Sequence, residues 1–362
     1  MIIGVPKEIK PQEKRVGLTP ESVETLVGDG HEVIVESGAG TGIGASDSFY
    51  RDAGASIVGE AASVFEHAKM IIKVKEPQAS EIAMLGKQHL LYTYLHLAPD
   101  RAQTEGLMRS GCTAIAYETI TDSAGTLPLL TPMSQVAGRM ATHVAANCLH
   151  HTAGGLGLLM GGVPGVQPAK VMVLGGGVSG LNAAQMAMGL GAEVCVFDIN
   201  LNTLARIQQT YGNAIKTQYS NPAALRTALR EADVVIGAVL IQGAKAPRLV
   251  TREDLKNMKP GAVMVDIAID QGGCFETSRP TTHNDPVFEV DGIVHYCVAN
   301  MPGAVPRTSS YALNAATLGY ARKLATKDVA ALDNDIHLRN GFNIMGGKIV
   351  HPAIAEAFPD LA

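Results

Sequence analysis

Three glycines and one acid stand at a spacing that could do chemistry. The run Val171-Met-Val-Leu-Gly-Gly-Gly-Val-Ser-Gly180 leads four apolar residues into Gly175-x-Gly177-x-x-Gly180. Gly175 permits a tight turn out of a strand. Gly177, without a Cβ, lets backbone approach a ligand, and Gly180 lets the following helix pack closely on a sheet. Free N–H groups and the dipole at that helix start favour an anion such as a pyrophosphate. A second apolar stretch, Glu193-Val-Cys-Val-Phe-Asp198, ends on an acid 18 residues past Gly180. That distance suits a carboxylate taking hydrogen bonds from an adenosine ribose, and its charge repels a 2′-phosphate. The four residues predict a dinucleotide site favouring NAD over NADP. The plainer alternative is a Gly-rich strand–helix turn that holds nothing.

Ligands of open α/β sheets lie beyond the carboxyl ends of the strands. Four reactive residues fall at such places. Arg15 lies in the loop after the first strand, Lys75 ends Met70–Lys75, His96 ends Leu90–His96, and Asp270 ends Ala262–Asp270. Arg is a planar fork for a carboxylate, and Lys adds a second positive point. His moves protons near neutral pH, and Asp can position or deprotonate water. With a nicotinamide, they suffice to oxidise a small 2-substituted acid. Each has a plainer reading. Arg15 and Lys75 could be solvated surface charges, His96 a satisfied histidine at a helix start, and Asp270 the cap of the next turn.

The elements that must position these residues are legible. Apolar strands alternate with amphipathic helices: Ile2–Val5, Glu32–Glu36, Met70–Lys75, Leu90–Leu95 and Thr113–Tyr117, with a helix over Pro20–Asp29 capped by Thr19. A long helix opens at Thr131-Pro-Met-Ser134 and runs through His151. A second series follows: Val171–Leu174, Glu193–Asp198, a segment ending near Ser220, Asp233–Ala238, Ala262–Ile269 and Ile293–Cys297. A helix resumes over Ser309–Ala325, and the tail runs Phe342–Val350. This alternation predicts an α/β protein with two Rossmann-like domains, each a parallel sheet flanked by helices. The tail is too short for a third domain. The expectation is therefore a dinucleotide domain, 131–304, inserted into a discontinuous substrate domain, 1–130 with 305–362. The helices near Ser134 and Ser309 would cross between them, and ligands would bind in the cleft.

With 362 residues and 46% hydrophobic content, the chain has ample core for two domains. A net charge of −5 without a basic run argues against nucleic acid as a partner. Two uncharged stretches, Met140–Ala169 and Val171–Ala192, carry His143, Asn147, His150, His151, Pro164 and the glycine fingerprint, so they read as core rather than membrane spans. Five cysteines without a C-x-x-C pair suggest free thiols in a reducing cytosol. The start, Met1-Ile-Ile-Gly-Val-Pro-Lys-Glu, reads as a strand rather than a signal peptide. No metal-ligand pattern, G-x-S-x-G, HExxH or Walker A run occurs.

Several further runs join these: Gly4-Val-Pro-Lys-Glu-Ile-Lys, Glu13-Lys-Arg-Val-Gly-Leu-Thr-Pro20, Lys73-Val-Lys-Glu-Pro77, Tyr94-Leu-His-Leu-Ala98, Pro132-Met-Ser-x-Val-Ala-Gly-Arg-Met140, Val265-Asp-Ile-Ala-Ile-Asp-Gln-Gly-Gly273 and Asn300-Met-Pro-Gly-Ala-Val-Pro-Arg-Thr-Ser309. In them the chain resembles the alanine dehydrogenase family along its whole length. The resemblance implies reversible oxidative deamination of L-alanine to pyruvate and ammonium, with NAD taking the hydride. It implies that Arg15 and Lys75 hold the substrate carboxylate and oxygen, and that His96 and Asp270 serve acid–base catalysis. Beside Gly175, Gly177 and Gly180, it implies cofactor contacts at Ser134, Val178, Asp198, Ser220, Val239, Leu240, Ile267, Ala268, Ile269, Asp270, Arg279, Val298, Asn300 and Met301. It also implies a homohexamer. One departure is Thr203, where many relatives carry a basic residue on the adenosine side. Three rival readings are the nucleotide-binding component of a proton-translocating transhydrogenase, a saccharopine-type or lysine-type dehydrogenase with a roomier pocket for a long side chain, and an NAD-binding module without turnover. The retained His96 and Asp270 argue against the first.

Overall fold

The computed structural model describes residues 1–239, 246–327 and 335–361. The chain divides into two compact units, Met1–Met133 with Val305–Ala362, and Ser134–Ala304. Each has its own sheet and core.

The first unit carries β1 (Ile2–Val5), β2 (Glu32–Glu36), β3 (Ser56–Val58), β4 (Met70–Ile72), β5 (Leu90–Thr93) and β6 (Thr113–Ala116). The second carries β7 (Lys170–Leu174), β8 (Glu193–Asp198), β9 (Ile215–Tyr219), β10 (Val234–Gly237), β11 (Val263–Asp266), β12 (Val287–Val290) and β13 (Ile293–Tyr296). The chain then returns to the first unit with the helix Pro306–Lys327, β14 (Phe342–Met345) and β15 (Lys348–Ile349).

The first sheet is ordered β15-β14-β6-β5-β4-β1-β2-β3, and the second β12-β13-β11-β10-β7-β8-β9. β1 to β6 run parallel, as do β7 to β11 with β13. Each sheet is nevertheless mixed, not purely parallel as expected. β12 pairs antiparallel with β13, and β14 runs antiparallel to both β6 and β15. Both added hairpins turn on residues with positive φ, Asp291 and Gly292 in one and Gly346 and Gly347 in the other. Such pairs suit the tight turns whose twist matches two antiparallel strands.

β10, β11 and β13 are buried at every residue, as strands covered on both faces should be. Alternate residues feed two cores. Val171, Val173, Val234, Ile236, Val263 and Val265 pack on one side, with Ala183, Ala184 and Ala187 of the helix Val178–Gly189. Met172, Leu174, Val235 and Met264 pack on the other with Phe275. In the first unit Ile71, Leu91 and Ala114 share a core with Ile344 and Ile354.

Several expected boundaries shift for local reasons. β4 stops at Ile72, because the buried Glu8 carboxylate takes the N–H groups of Val74 and Lys75 at 2.7 and 3.3 Å. β11 stops at Asp266, whose side chain accepts the Ala268 N–H at 3.1 Å. The long helix spans Thr131–Cys148 and ends short of His151. The helix near Ser309 lies wholly in the first unit, since the chain leaves the second unit at Ala304. Thr19 occupies the N-cap of the first helix without a side-chain cap bond, its hydroxyl lying 3.2 Å from Ser22 Oγ.

Candidate functional site

In the second unit, sheet register brings the fingerprint and the acids to one edge. Leu174 pairs with Phe197 and Gly237, and Gly237 pairs with Asp266. The chain passes from β7 to β8 and β9 on one side, then returns to β10 on the other. That reversal is the switch point where such sheets bind ligands. Gly175, Asp198, Val239 and the segment after Asp266 all follow those strand ends. Leu240 lies outside the described residues.

The three glycines have distinct geometry. Gly175 sits at φ +96, and a Cβ on Gly180 would stand 1.8 Å from the Gly175 carbonyl oxygen. Gly177 caps the helix Val178–Gly189, and a Cβ there would meet nothing within 4 Å. Val178 beside it is 42% exposed. A tight turn, close packing and an open helix start are what a pyrophosphate needs. Asp198 is half-buried, with one oxygen taking the Gly176 N–H at 2.7 Å and the other the Asn200 N–H at 2.7 Å. Each carboxylate oxygen keeps a lone pair for a ribose hydroxyl. The residues therefore fit a dinucleotide. Ser220, at the end of β9, donates its N–H to the Asp198 carbonyl at 3.0 Å.

Asp270 is exposed on the 3-10 turn Ile269–Gln271, four residues beyond β11 rather than on the strand end. Ile269 and Ala268 are buried, and Ile267 is half-buried. Arg279 is exposed and lies 4.2 Å over the Phe288 ring, a cation–π contact. Val298 and Met301 are buried. Asn300 adopts φ +62, and its carbonyl lies 3.2 Å from His283 Nε2. Ser134 is half-buried near the start of the long helix.

In the first unit, Arg15 is not a solvated charge. It is 2% exposed, and Glu13 grips it. Nε and Nη2 donate to the two Glu13 oxygens at 2.7 and 2.5 Å, and the Arg15 N–H donates to Glu13 Oε1 at 3.0 Å. Nη1 lies 3.1 Å from Met133 Sδ. Burial works to raise the Glu13 carboxyl, but the Arg15 hydrogen bonds and charge, with the Lys75 charge, hold it at about 2. Arg15 itself is raised by Glu13 against the opposing effect of burial. Lys75 is half-buried, and its carbonyl takes the Thr93 hydroxyl at 2.9 Å. Beneath it, the fully buried Lys73 ammonium lies 3.1 Å from Glu8 and 2.7 Å from Glu81. Burial pushes the Glu8 carboxyl up against the pull of Lys73.

His96 lies in the loop past β5 with φ +49. A non-glycine residue there is strained and persists only where its surroundings impose it. Glu118 imposes it, accepting the His96 N–H at 2.6 Å and the Leu95 N–H at 3.1 Å. Its Oε1 also lies 4.0 Å from His96 Nδ1. The imidazole stacks on Tyr94, centroids 5.8 Å apart and planes 7° from parallel. Tyr94 donates its hydroxyl to the Leu129 carbonyl at 2.6 Å. Burial raises the Tyr94 hydroxyl, and the nearby Arg15 charge opposes this. The Arg15 charge thus acts on Tyr94, which stacks on His96, and the Lys75 charge acts on Glu13, which holds Arg15.

Glu13, Tyr94, Met133 and Glu118 were not marked by the sequence reading. Glu13 and Tyr94 stand two residues from Arg15 and His96, which was the available signal. Glu118 left none.

Comparison with known proteins agrees over the full length. A model described as the alanine dehydrogenase/PNT N-terminal domain matches residues 4–137, and one described as the C-terminal domain matches residues 141–352. The chain is 55% identical to an alanine dehydrogenase of Halomonas elongata over 99% of this chain and 97% of that one. A solved L-alanine dehydrogenase superposes with a TM-score of 0.98 at 52% identity, covering all of both chains. A transhydrogenase from Sinorhizobium meliloti superposes with a TM-score of 0.83 at 29% identity, covering 98% of this chain and 100% of that one. From its first strand to its returning tail, the chain belongs to the alanine dehydrogenase/PNT family.

Proposed function

We propose that this chain catalyses the reversible NAD-dependent oxidative deamination of L-alanine, giving pyruvate and ammonium. The balanced reaction is L-alanine, NAD+ and water to pyruvate, ammonium, NADH and a proton. One observation carries the reading beside the family. Arg15 is a buried fork locked by Glu13, with the Lys75 charge acting on the same carboxylate. A buried, oriented guanidinium suits a small carboxylate substrate.

Residues 131–304 serve as the cofactor domain, and 1–130 with 305–362 as the substrate domain. Gly175, Gly177 and Gly180 hold the pyrophosphate, and Asp198 holds the adenosine ribose, favouring NAD. Val178, Ser220 and Val239 add further cofactor contacts. Ser134, Ile267, Ala268, Ile269, Asp270, Arg279, Val298, Asn300 and Met301 complete the cofactor contacts. Once its amine has released a proton to solvent, alanine would give its Cα hydride to a nicotinamide held there, leaving the substrate as an iminium.

Arg15 orients alanine through its carboxylate, which fixes Cα for the transfer. Asp270 helps a water add to the iminium. His96, held by Glu118, takes a proton from the adding water and returns one to the leaving ammonia as the carbinolamine collapses. Lys75 stabilises the charge that develops on the oxygen. The working form is expected to be a cytosolic homohexamer.

The test is absorbance at the NADH band with the purified chain, run forward with L-alanine and NAD+ and in reverse with pyruvate, ammonium and NADH. Turnover in both directions, absent with lysine or NADP+, is the expected result. NADH binding without turnover on alanine overturns the proposal.

A further inference from the structure

One buried acid in the second unit has no part in the chemistry above. Asp266 ends β11 and is 0% exposed. A carboxylate there persists only if hydrogen bonds replace its lost water. Its donors come from the segment that follows it. The Ala268 N–H reaches Oδ1 at 3.1 Å, while the Cys274 N–H and the Ser278 hydroxyl reach Oδ2 at 2.8 and 2.5 Å.

Between Ala268 and Cys274 the chain makes the 3-10 turn with Asp270 on it, then passes Gly272 and Gly273 at φ +94 and +81. A Cβ on Gly273 would stand 2.6 Å from Asp266 Oδ2, so the backbone of the segment folds directly against the acid. Both ends of the loop that presents Asp270 are therefore tied to one side chain, which itself sits on a strand buried at every residue. The same tie reaches Ser278, one residue before Arg279.

We propose that Asp266 is a positioning residue: it fixes the turn that carries Asp270, and with it Ile267 to Ile269, relative to the end of β11. The inference rests on the acid–base reading of Asp270. Asp266 transfers no proton itself, being sealed from solvent. An amide cannot replace it. Backbone N–H donors and a hydroxyl converge on its two oxygens, and Asn would set an NH2 group against one of them.

The test uses the full chain and four variants: Asp266→Asn, Ser278→Ala, Asp270→Asn, and Asp266→Asn with Asp270→Asn. Sites that bind NADH are counted by fluorescence titration, and kcat is expressed per such site. Asp266→Asn is expected to lower that kcat at least tenfold. Ser278→Ala, which removes the hydroxyl donor and leaves the backbone donors, is expected to lower it about threefold while the KM for alanine moves less. Added to Asp270→Asn, the Asp266 change is expected to cost less than a further threefold, because it acts through the same group. Normal turnover per NADH-binding site in Asp266→Asn and Ser278→Ala, with only a lower melting temperature, overturns the inference. So do losses that multiply fully in the double variant while Asp270→Asn alone is impaired. Should Asp266→Asn fail to fold, Ser278→Ala carries the same decision alone. Normal turnover in Asp270→Asn overturns the reading of Asp270 and this inference together.

Discussion

Replacing Glu13 by Gln puts the Arg15 arrangement to a quantitative test. Gln keeps the shape and one acceptor but loses the charge, and its amide faces the Nη2 donor that now lies 2.5 Å from Glu13 Oε2. A carboxyl held at about 2 instead of its usual 4.5 contributes ~3 kcal/mol to folding at neutral pH. An independent reckoning agrees, since removing one partner from a buried ion pair costs about 3–5 kcal/mol. The sign follows from the lowered value. The contribution is complete above pH 4.5 and is lost as the pH falls toward 2. Urea unfolding followed by circular dichroism at about pH 7 and about pH 5 should therefore show Glu13→Gln less stable by the same ~3 kcal/mol at both. The same variant should raise the KM for alanine roughly tenfold, with kcat changing much less, if the fork binds, as proposed, a carboxylate present throughout the reaction. A deficit below ~1 kcal/mol, or one that differs between the two pH values, refutes the account of the pair as a locked buried fork.

Gly177→Ala and Gly180→Ala should separate binding from folding. The first meets open space and should leave stability within ~0.5 kcal/mol while weakening NADH binding at least about tenfold in a fluorescence titration. The second drives a methyl to 1.8 Å from a carbonyl oxygen and should cost ~3 kcal/mol, read as a lowered melting temperature. Glu118→Ala strips the Leu95 and His96 N–H groups of their acceptor and should lower kcat by about 10²-fold, with Glu118→Gln milder because its amide oxygen still accepts.

The fold was legible where periodicity and strand ends reinforce one another. β1, β2 and β8 fall where the apolar runs place them, and the glycine spacing matches a real turn, opening and contact. Strand ends were less legible at Lys75 and Asp270, because buried carboxylates, Glu8 and Asp266, take N–H groups that a ladder would otherwise use. β12 and the β14–β15 hairpin escaped notice although Asp291-Gly292 and Gly346-Gly347 are strong turn pairs. The left-handed backbone of His96 and Asn300 left only a faint signal. Both residue types are enriched in that region, but only as a weak preference, and for His96 the cause, Glu118, lies 22 positions away.

The discontinuity of the first unit has a consequence for the order of events during synthesis. Among the described residues, the second unit has all seven strands of its sheet by Tyr296. At that moment the first sheet still lacks β14 and β15, and the start of the chain lacks the helix Pro306–Lys327. That helix supplies Ser310 and Asn314 as acceptors for the N–H groups of Val16 and Thr19, which flank Arg15 and the first helix. Closing such contacts across almost 300 positions is slow relative to local pairing. On the ribosome, then, the inserted domain matures before the one that precedes it, and the loop bearing Arg15 takes its final form last.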